Sequence, residues 1–423
     1  MARSKKYILF SLLSLILISG CSNGTVIPFP KEKRITINVG YTQEEHFKRR
    51  YSSLLDSEYP NMIINVVSTK ELLKPDISPT QWLQNNQVDL IYIPSELMES
   101  FVQEGLLTDI DPLIKQDKFD LQQFVPGVIE LTKIYGNGKL YGLPSSFYSS
   151  AIVFNKDLFD RYKIEYPEDQ MNWEDILLLA GRFPSSNSSV KGISLKYLNL
   201  FDFILHIGKT AELKVYNQHQ HQFTFNAKSW VPIWENAIKA NETGTLDLNP
   251  DLNTYFTPFL SGERAMAVIS YEEYKRLEQE KPSFEWSTVT MPVNPSQPNQ
   301  SDSLRLSGVF AIPTSSENKE AAWELLKFFN SEEVARWEYR SDYGFSSLLK
   351  QIISNEDHRE IVTPFYRLSP LADQGDDTLP PEINAISEEI INKISTQSWT
   401  VQEGLDILQN EAEEVISKSS KVE

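Results

Sequence analysis

The chain has 423 residues, more than one hydrophobic core usually serves, so two lobes are expected. With 40% apolar and 23% charged residues it reads as a soluble globular protein, and 58 acidic against 40 basic residues give a net charge of −18. That balance argues against nucleic acid and anionic lipid headgroups as partners, since both would be repelled.

Arg3, Lys5 and Lys6 precede an apolar run over 7–18, the pattern of a secretory signal and too short to span a membrane. The run ends Leu17-Ile18-Ser19-Gly20-Cys21. Small residues before a cysteine fit a lipobox, so cleavage after residue 20 and diacylation of Cys21 are expected. Loss of 1–20 strips three cations and no acids, which takes the charge from −18 to −21. Cys21 is the only cysteine, so no intrachain disulfide or multi-cysteine metal site can form. Two acyl chains anchor stably where one does not. Residues 21–34, with Asn23, Gly24, Pro28 and Pro30, read as the lipidated cysteine and a flexible tether.

Residues 34–40 alternate, with Ile35, Ile37 and Val39 on one side, and predict a first strand. Thr42, Gln43 and Glu44 open a helix that sets Phe47, Tyr51, Leu54 and Leu55 on one face, the spacing of a helix laid on a sheet. The stretch 62–67 is nearly all apolar, as strands buried on both faces are. A helix around Trp82 and a strand over 88–93, in which Asp89 reads as structural, complete a third unit. Alternating strands and helices mark an α/β fold. Ligands of open α/β sheets sit at the carboxyl ends of strands, which nominates Thr42, Glu44 and Glu96 as ligand-binding.

Residues 139–143 read as a short strand that Pro144 closes, because proline lacks the N–H a ladder needs. Residues 151–154 resume as an apolar strand, and Asp157-Leu158-Phe159 start a helix. Between them stand Ser145, Ser146, Phe147, Tyr148, Ser149 and Ser150, two aromatics among small hydroxyls. Such a crossover suits a hinge floor, with Phe147 and Tyr148 stacking on a ligand. The same residues fit an ordinary β-hairpin with core aromatics.

Trp173, Ile176, Leu177 and Ala180 predict a helix over 173–183 capped by Asn172. A strand over 193–197 runs into a helix start, which makes Tyr197 and Asn199 second-lobe candidates; a core role fits them too. His219-Gln220-His221 has no third ligand nearby and reads as a polar loop, not a metal site. Trp230 and Trp234 share one helix face and read as packing, with a ligand platform at Trp230 the other reading. Residues 282–303, rich in Pro, Ser, Asn and Gln, read as a loop. Asp373, Asp376 and Asp377 lack calcium-loop spacing.

Gly138-Lys139-Leu140-Tyr141-Gly142-Leu143-Pro144, then Phe154-Asn155-Lys156-Asp157-Leu158-Phe159, and after Pro167 Trp173-Glu174-Asp175, resemble the signature of the extracellular solute-binding proteins of family 1. These are the maltose-binding-protein-like receptors that feed ABC importers. Val88-Asp89 through Leu107, Asp109 and Ile110, the F-x-x-G-x-x-A-M run at 259–266, Leu306-Ser307-Gly308, the S-x-N-x-x-A-A-W run at 316–323 and the closing helices at 387–394 and 400–405 resemble the family in the same order. The resemblance implies a two-lobe periplasmic-binding-protein-like fold of type II, each lobe a mixed sheet flanked by helices, with the ligand cleft between. It implies a first lobe of 35–143 plus 264–308 and a second of 144–263 plus 309–423. The strand end Ser270-Tyr271-Glu272 should then face the cleft, which adds Tyr271. Glu96 falls where the family's sugar-binders place an acidic hydrogen-bonding residue. Two departures stand out: Ile93 takes a place often aromatic, and single glycines stand near Gly208 and Gly308 where relatives carry pairs.

The sequence holds no G-x-S-x-G, Walker A or H-E-x-x-H motif, so no catalytic residue, cofactor or metal is expected. The reading is a monomeric, lipid-anchored substrate-binding protein of an ABC importer on the outer face of a Gram-positive-type cell membrane. Its lobes would rotate about crossings near Leu143-Pro144 and 308–310, bury a small solute and deliver it to permease subunits. The supply of 22 Phe, 18 Tyr and 8 Trp, with acidic strand ends, favours an oligosaccharide, whose hydroxyls donate to carboxylates and whose C–H faces stack on rings. A polyamine would use the same groups, and a ligand-presenting lipoprotein of a sensor system would use the same fold.

Overall fold

The computed structural model describes residues 34–419 apart from 75, 185–188, 218–219, 250, 252–253, 341–342, 354–355 and 372–378. Cys21, the segment expected to be signal and tether, His219 and the aspartates at 373, 376 and 377 lie outside the described residues. Along the chain, β1 (Ile35–Tyr41), β2 (Met62–Ser68), β3 (Leu90–Pro94) and β4 (Gly142–Leu143) alternate with helices. After Pro144 come β5 (Ser146–Tyr148), β6 (Ala151–Asn155), β7 (Lys191–Leu195), the hairpin β8 (Tyr216–Asn217) and β9 (Gln222–Phe223), then β10 (Leu246–Leu248), β11 (Arg264–Ile269) and β12 (Trp286–Thr290). Short strands β13 (Gln300–Ser301) and β14 (Arg305–Leu306) lead into β15 (Gly308–Ala311), followed by β16 (Phe345–Ser346) and β17 (Ser369–Pro370).

These strands build one plan twice. The first sheet runs β2-β1-β3-β15-β4 and the second β10-β7-β11-β6-β12. In each, three strands pair in parallel and the last two antiparallel. The first antiparallel strand of each sheet, β15 or β6, arrives directly from a crossing between sheets. Helices cover both sheets, giving the two-lobe α/β fold that the sequence pattern implies. Ile37 and Val39 of β1 are fully buried, as their alternation requires. By contrast β2 is an edge strand with half-exposed side chains, so its apolar run reflects the strand preference of branched residues rather than burial on both faces.

The lobe boundaries differ from those expected. β11 lies between β7 and β6 of the second sheet, with Ala265, Met266 and Ala267 fully buried there, and β12 follows on that sheet's edge. Residues 264–290 therefore do not return to the first lobe, and 282–303 is not one loop. β15 instead enters the first sheet, and the helix Lys319–Phe329 packs on it through Ala322, Leu325, Leu326 and Phe329. The helices Pro381–Ser395 and Val401–Ser419 pack on the second lobe. Trp230 is buried against the helix Leu200–Thr210, where Gly208 leaves room for its indole, so it is core and not a platform.

Asp89 lies just before β3 and not within a strand as expected, and its role is structural. It accepts from the Asn38 amide at 3.0 Å, the Ser316 hydroxyl at 3.2 Å and the Asn318 side chain at 3.1 Å, joining β1 and β3 to the start of the helix Lys319–Phe329. On that helix Trp323 Nε1 and Lys327 Nζ donate to Asp117 at 2.8 and 2.7 Å. Partial burial alone would raise the Asp117 pKa, but these two donors outweigh it and hold it below the ordinary value. A depressed folded pKa contributes stability above the unfolded value that is lost as pH falls through the folded one. Asp117→Asn is therefore expected to flatten the acid limb of the melting temperature plotted against pH, below about pH 4, with little change at neutrality beyond a constant offset.

Candidate functional site

The two sheets are joined through a third, small one. β5 pairs antiparallel with β14, Phe147 opposite Leu306 and Tyr148 opposite Arg305, and β16 adds Phe345 opposite Phe147. Because β4 and β6 belong to different sheets, the stretch around Phe147 is a crossover and not a hairpin. Alternation along β5 decides the fate of its two aromatics. Phe147 is fully buried and stacks on Phe345 at 5.6 Å, whereas Tyr148 stays half-exposed.

Around the carboxyl ends of β1 and β3 lies a cluster of phenols and one buried ion pair. Arg50 points inward from the helix Glu44–Glu58, and its Nε and Nη2 meet Glu338 Oε1 at 2.8 and 2.7 Å. Tyr51 donates to the same oxygen at 3.0 Å, and Ser145, just before β5, lies 3.4 Å from both Arg50 and Glu338. The guanidinium also lies 4.2 Å from the Tyr343 ring centroid, a cation–π contact. Burial raises the Glu338 pKa, and Arg50, Tyr51 and Ser145 oppose that rise. Tyr92 donates to Ser307 at 3.0 Å, tying β3 to the second crossing. Burial pushes its phenol well above the ordinary value, so it remains a hydroxyl donor at neutral pH.

Two glycines let these rings approach the crossings. A Cβ at Gly308 would stand 2.8 Å from the Tyr92 ring, and one at Gly344, whose φ of +92° is a backbone that favours glycine, would stand 2.8 Å from the Phe147 carbonyl and 3.4 Å from the Tyr148 ring. Burial also raises the Tyr148 pKa; Glu272 adds to the rise, Arg50 lowers it, and Glu338 and Tyr41 add smaller effects. Glu272 follows β11 of the second lobe, whereas Tyr41, Arg50 and Glu338 belong to the first. Charged groups of both lobes thus influence the partly exposed Tyr148 ring, which β5 sets opposite Arg305 of β14.

The nominated residues divide. Thr42 and Glu44 stand at the end of β1; Thr42 is half-buried with its carbonyl held by Ser68, and Glu44 is exposed and ion-paired to Lys48 at 2.5 Å. Glu96 is exposed beyond β3; the Tyr135 phenol is raised chiefly by burial, which Arg305 opposes and Glu96 slightly reinforces. Tyr197 is half-buried against Phe203 and His206, with ring centroids 5.4 and 5.5 Å away, and buried Asp302 is close enough to act on it. Asn199 caps the helix Leu200–Thr210, its oxygen accepting from the Asp202 amide at 2.9 Å. Two expectations are corrected by burial: Phe147 is 0% and Tyr271 1% exposed, the latter packed edge-on to Phe345 at 4.8 Å. Their rings hold the crossing together and present no face to a solute.

Sequence reasoning missed Tyr41, Arg50, Tyr92, Tyr343 and Glu338, and it put Glu272 on a cleft-facing stretch without nominating it. Arg50 carried a signal, since it stands between Phe47 and Tyr51 on the face that must be buried. Among the described residues, no group of three or more His, Cys, Asp or Glu could hold a metal, and no helix is long and apolar enough to cross a membrane.

Comparison with known proteins bears on this architecture directly. Residues 79–336 match the family model described as bacterial extracellular solute-binding protein. A Brucella abortus (strain 2308) protein described as a candidate binding protein is 22% identical over 362 residues, covering 76% of this chain and 77% of its own. Among solved structures, the extracellular solute-binding protein family 1 member from Alicyclobacillus acidocaldarius superposes with a TM-score of 0.68 at 14% identity, over 90% of this chain and 98% of that one. The sugar-binding protein MalE of Xanthomonas citri gives 0.64 at 14% identity, over 92% and 99%. A Listeria monocytogenes ABC substrate-binding protein, solved in complex with cycloalternan, gives 0.55 at 16% identity, over 90% and 98%. These structural likenesses bear on the fold, and the family match spans more than half of the sequence: the chain belongs to the bacterial extracellular solute-binding proteins.

Proposed function

We propose that the protein is the lipid-anchored receptor of an ABC importer, capturing an oligosaccharide between its lobes and delivering it to a permease. The observation that carries this reading is the place of partly exposed Tyr148 on the crossing strand β5, opposite Arg305 of β14, where Arg50 and Glu338 of the first lobe and exposed Glu272 of the second act on its phenol; Glu96 stands exposed beyond β3. Phenol faces can stack on a pyranose ring while carboxylates accept from its hydroxyls. The crossings at β5 and β14 supply the axis for closure, of the kind hinge-bending receptors use. Thr42, Glu44, Tyr197 and Asn199 border the same strand ends and would set the guest's orientation. The Xanthomonas neighbour is a sugar-binding protein and the Listeria one was solved with cycloalternan, which supports a saccharide. Cys21 would carry the lipid.

A thermal-shift screen of the purified protein against oligosaccharides, polyamines and amino acids tests this. A ligand that prefers the folded chain at about 100 times its Kd stabilises it by about 2.7 kcal/mol. An oligosaccharide is expected to raise the midpoint; a response to polyamines alone would replace the saccharide reading.

A further inference from the structure

Away from the strand ends, a cavity of about 320 Å³ opens between the helix Tyr271–Glu280, β12 and the helix Glu356–Val362. Trp286, Tyr274, Leu277, Pro282 and Ile361 form its apolar wall, and Glu278, Lys281 and His358 its polar groups. None of these residues belongs to the crossing cluster. Glu278 is recessed, with its side chain 18% exposed, whereas Lys281 is exposed. Tyr274 donates to Glu278 Oε1 at 2.9 Å; Lys275 and Tyr339 donate to Oε2 at 3.0 and 3.4 Å. His358 Nδ1 stands 3.6 Å from Oε1, outside hydrogen-bond range. Oε1 therefore has one close donor and capacity for another, and it lies beside aromatic residues of the wall.

We propose that this cavity is a second small-molecule site, which takes an organic ammonium with a flat apolar body. Its volume is within the range of small-molecule sites. A recessed carboxylate next to the partly exposed Trp286 ring attracts an ammonium through both charge and ring face, whereas Tyr274, 2% exposed, only backs the wall. The acidic surface of the whole chain adds a long-range attraction for cations. A neutral guest of equal shape would gain only the apolar contact. Because Lys275 already shares the Glu278 charge, affinity should be in the millimolar range. The inference does not depend on what the inter-lobe cleft binds.

Fluorine NMR of the full-length chain labelled with 5-fluorotryptophan can test it, phenethylammonium chloride being the probe and 2-phenylethanol its neutral counterpart. Trp286→Phe assigns the Trp286 signal among the eight tryptophans. The amine is expected to shift that signal saturably and to bind about tenfold tighter than the alcohol. Glu278→Gln should erase that preference, whereas Tyr339→Phe, which frees a lone pair on Oε2, should tighten the amine severalfold. Tyr148→Ala should leave the Trp286 shift intact. The proposal is overturned by an absent or non-saturable shift, by equal affinity for amine and alcohol in the wild type, by an unaltered preference in Glu278→Gln, or by loss of the shift in Tyr148→Ala, which would place the guest in the cleft. The wild-type comparison stands even where a variant fails to fold.

Discussion

Glu338→Ala is expected to destabilise the protein by about 3–5 kcal/mol, the cost of leaving a buried guanidinium without its carboxylate. Arg50 and Glu338 are 8% and 2% exposed, so water cannot take the missing partner's place. The groups left around Arg50 are the Tyr41 and Ser145 hydroxyls, each 3.4 Å away, and the Tyr343 ring. None of them carries a neutralising charge. A second variant separates lost pairing from lost packing: Arg50→Met with Glu338→Leu replaces two charges by apolar groups of similar reach and should recover most of the loss, since buried ion pairs contribute little net stability against such replacements. Urea denaturation of the single and double variants measures both. If Glu338→Ala cost under about 1 kcal/mol, the pair would not be buried as described.

The cluster's place gives that stability a direction. Arg50 comes from the helix after β1, Glu338 from the helix Glu332–Arg340, and Ser145 from the link between β4 and β5. The pair therefore pins two first-lobe helices to the start of a crossing. On the proposed closure, its loss would loosen the base of a crossing, so the alanine variant should also lose uniformity between open and closed forms.

How much of this was legible follows from what each signal encodes. The periods of β1 and the helix Glu44–Glu58 are local, and they appear where the spacing puts them. So does the Asn172 cap, whose oxygen accepts from the Asp175 amide at 2.9 Å. Sheet membership is not local. Arg264 to Ile269 reads as an apolar strand in any sheet, and only its pairing with β6 and β7 decides which. The same holds for ring orientation: Tyr271 begins a helix at a strand end, as a ligand residue would, yet faces Phe345 because β16 returns from residue 345 to cover it. Arg50 was readable as a charge on a buried face, but its partner lies 288 residues away, and one sequence holds no trace of that contact.

Tyr148→Ala is expected to weaken the captured solute by about 30-fold or more, the loss typical of an anchoring aromatic, with a comparatively small effect on the empty protein. The adjacent residue supplies the contrast. Phe147→Ala removes a fully buried ring stacked on Phe345 and should cost about 3–5 kcal/mol of stability. Neighbours on one strand point to opposite faces, so the two substitutions divide binding from folding cleanly. Glu96→Ala, at an exposed position, should resemble Tyr148→Ala in binding and remain within about 0.5 kcal/mol of wild type in stability. The measurement is the midpoint shift produced by a saturating oligosaccharide in each variant, set beside the midpoint without it. A full shift in Tyr148→Ala and Glu96→Ala together would move the guest away from the crossing, because a solute held between the two lobes at β5 has to meet the partly exposed Tyr148 ring.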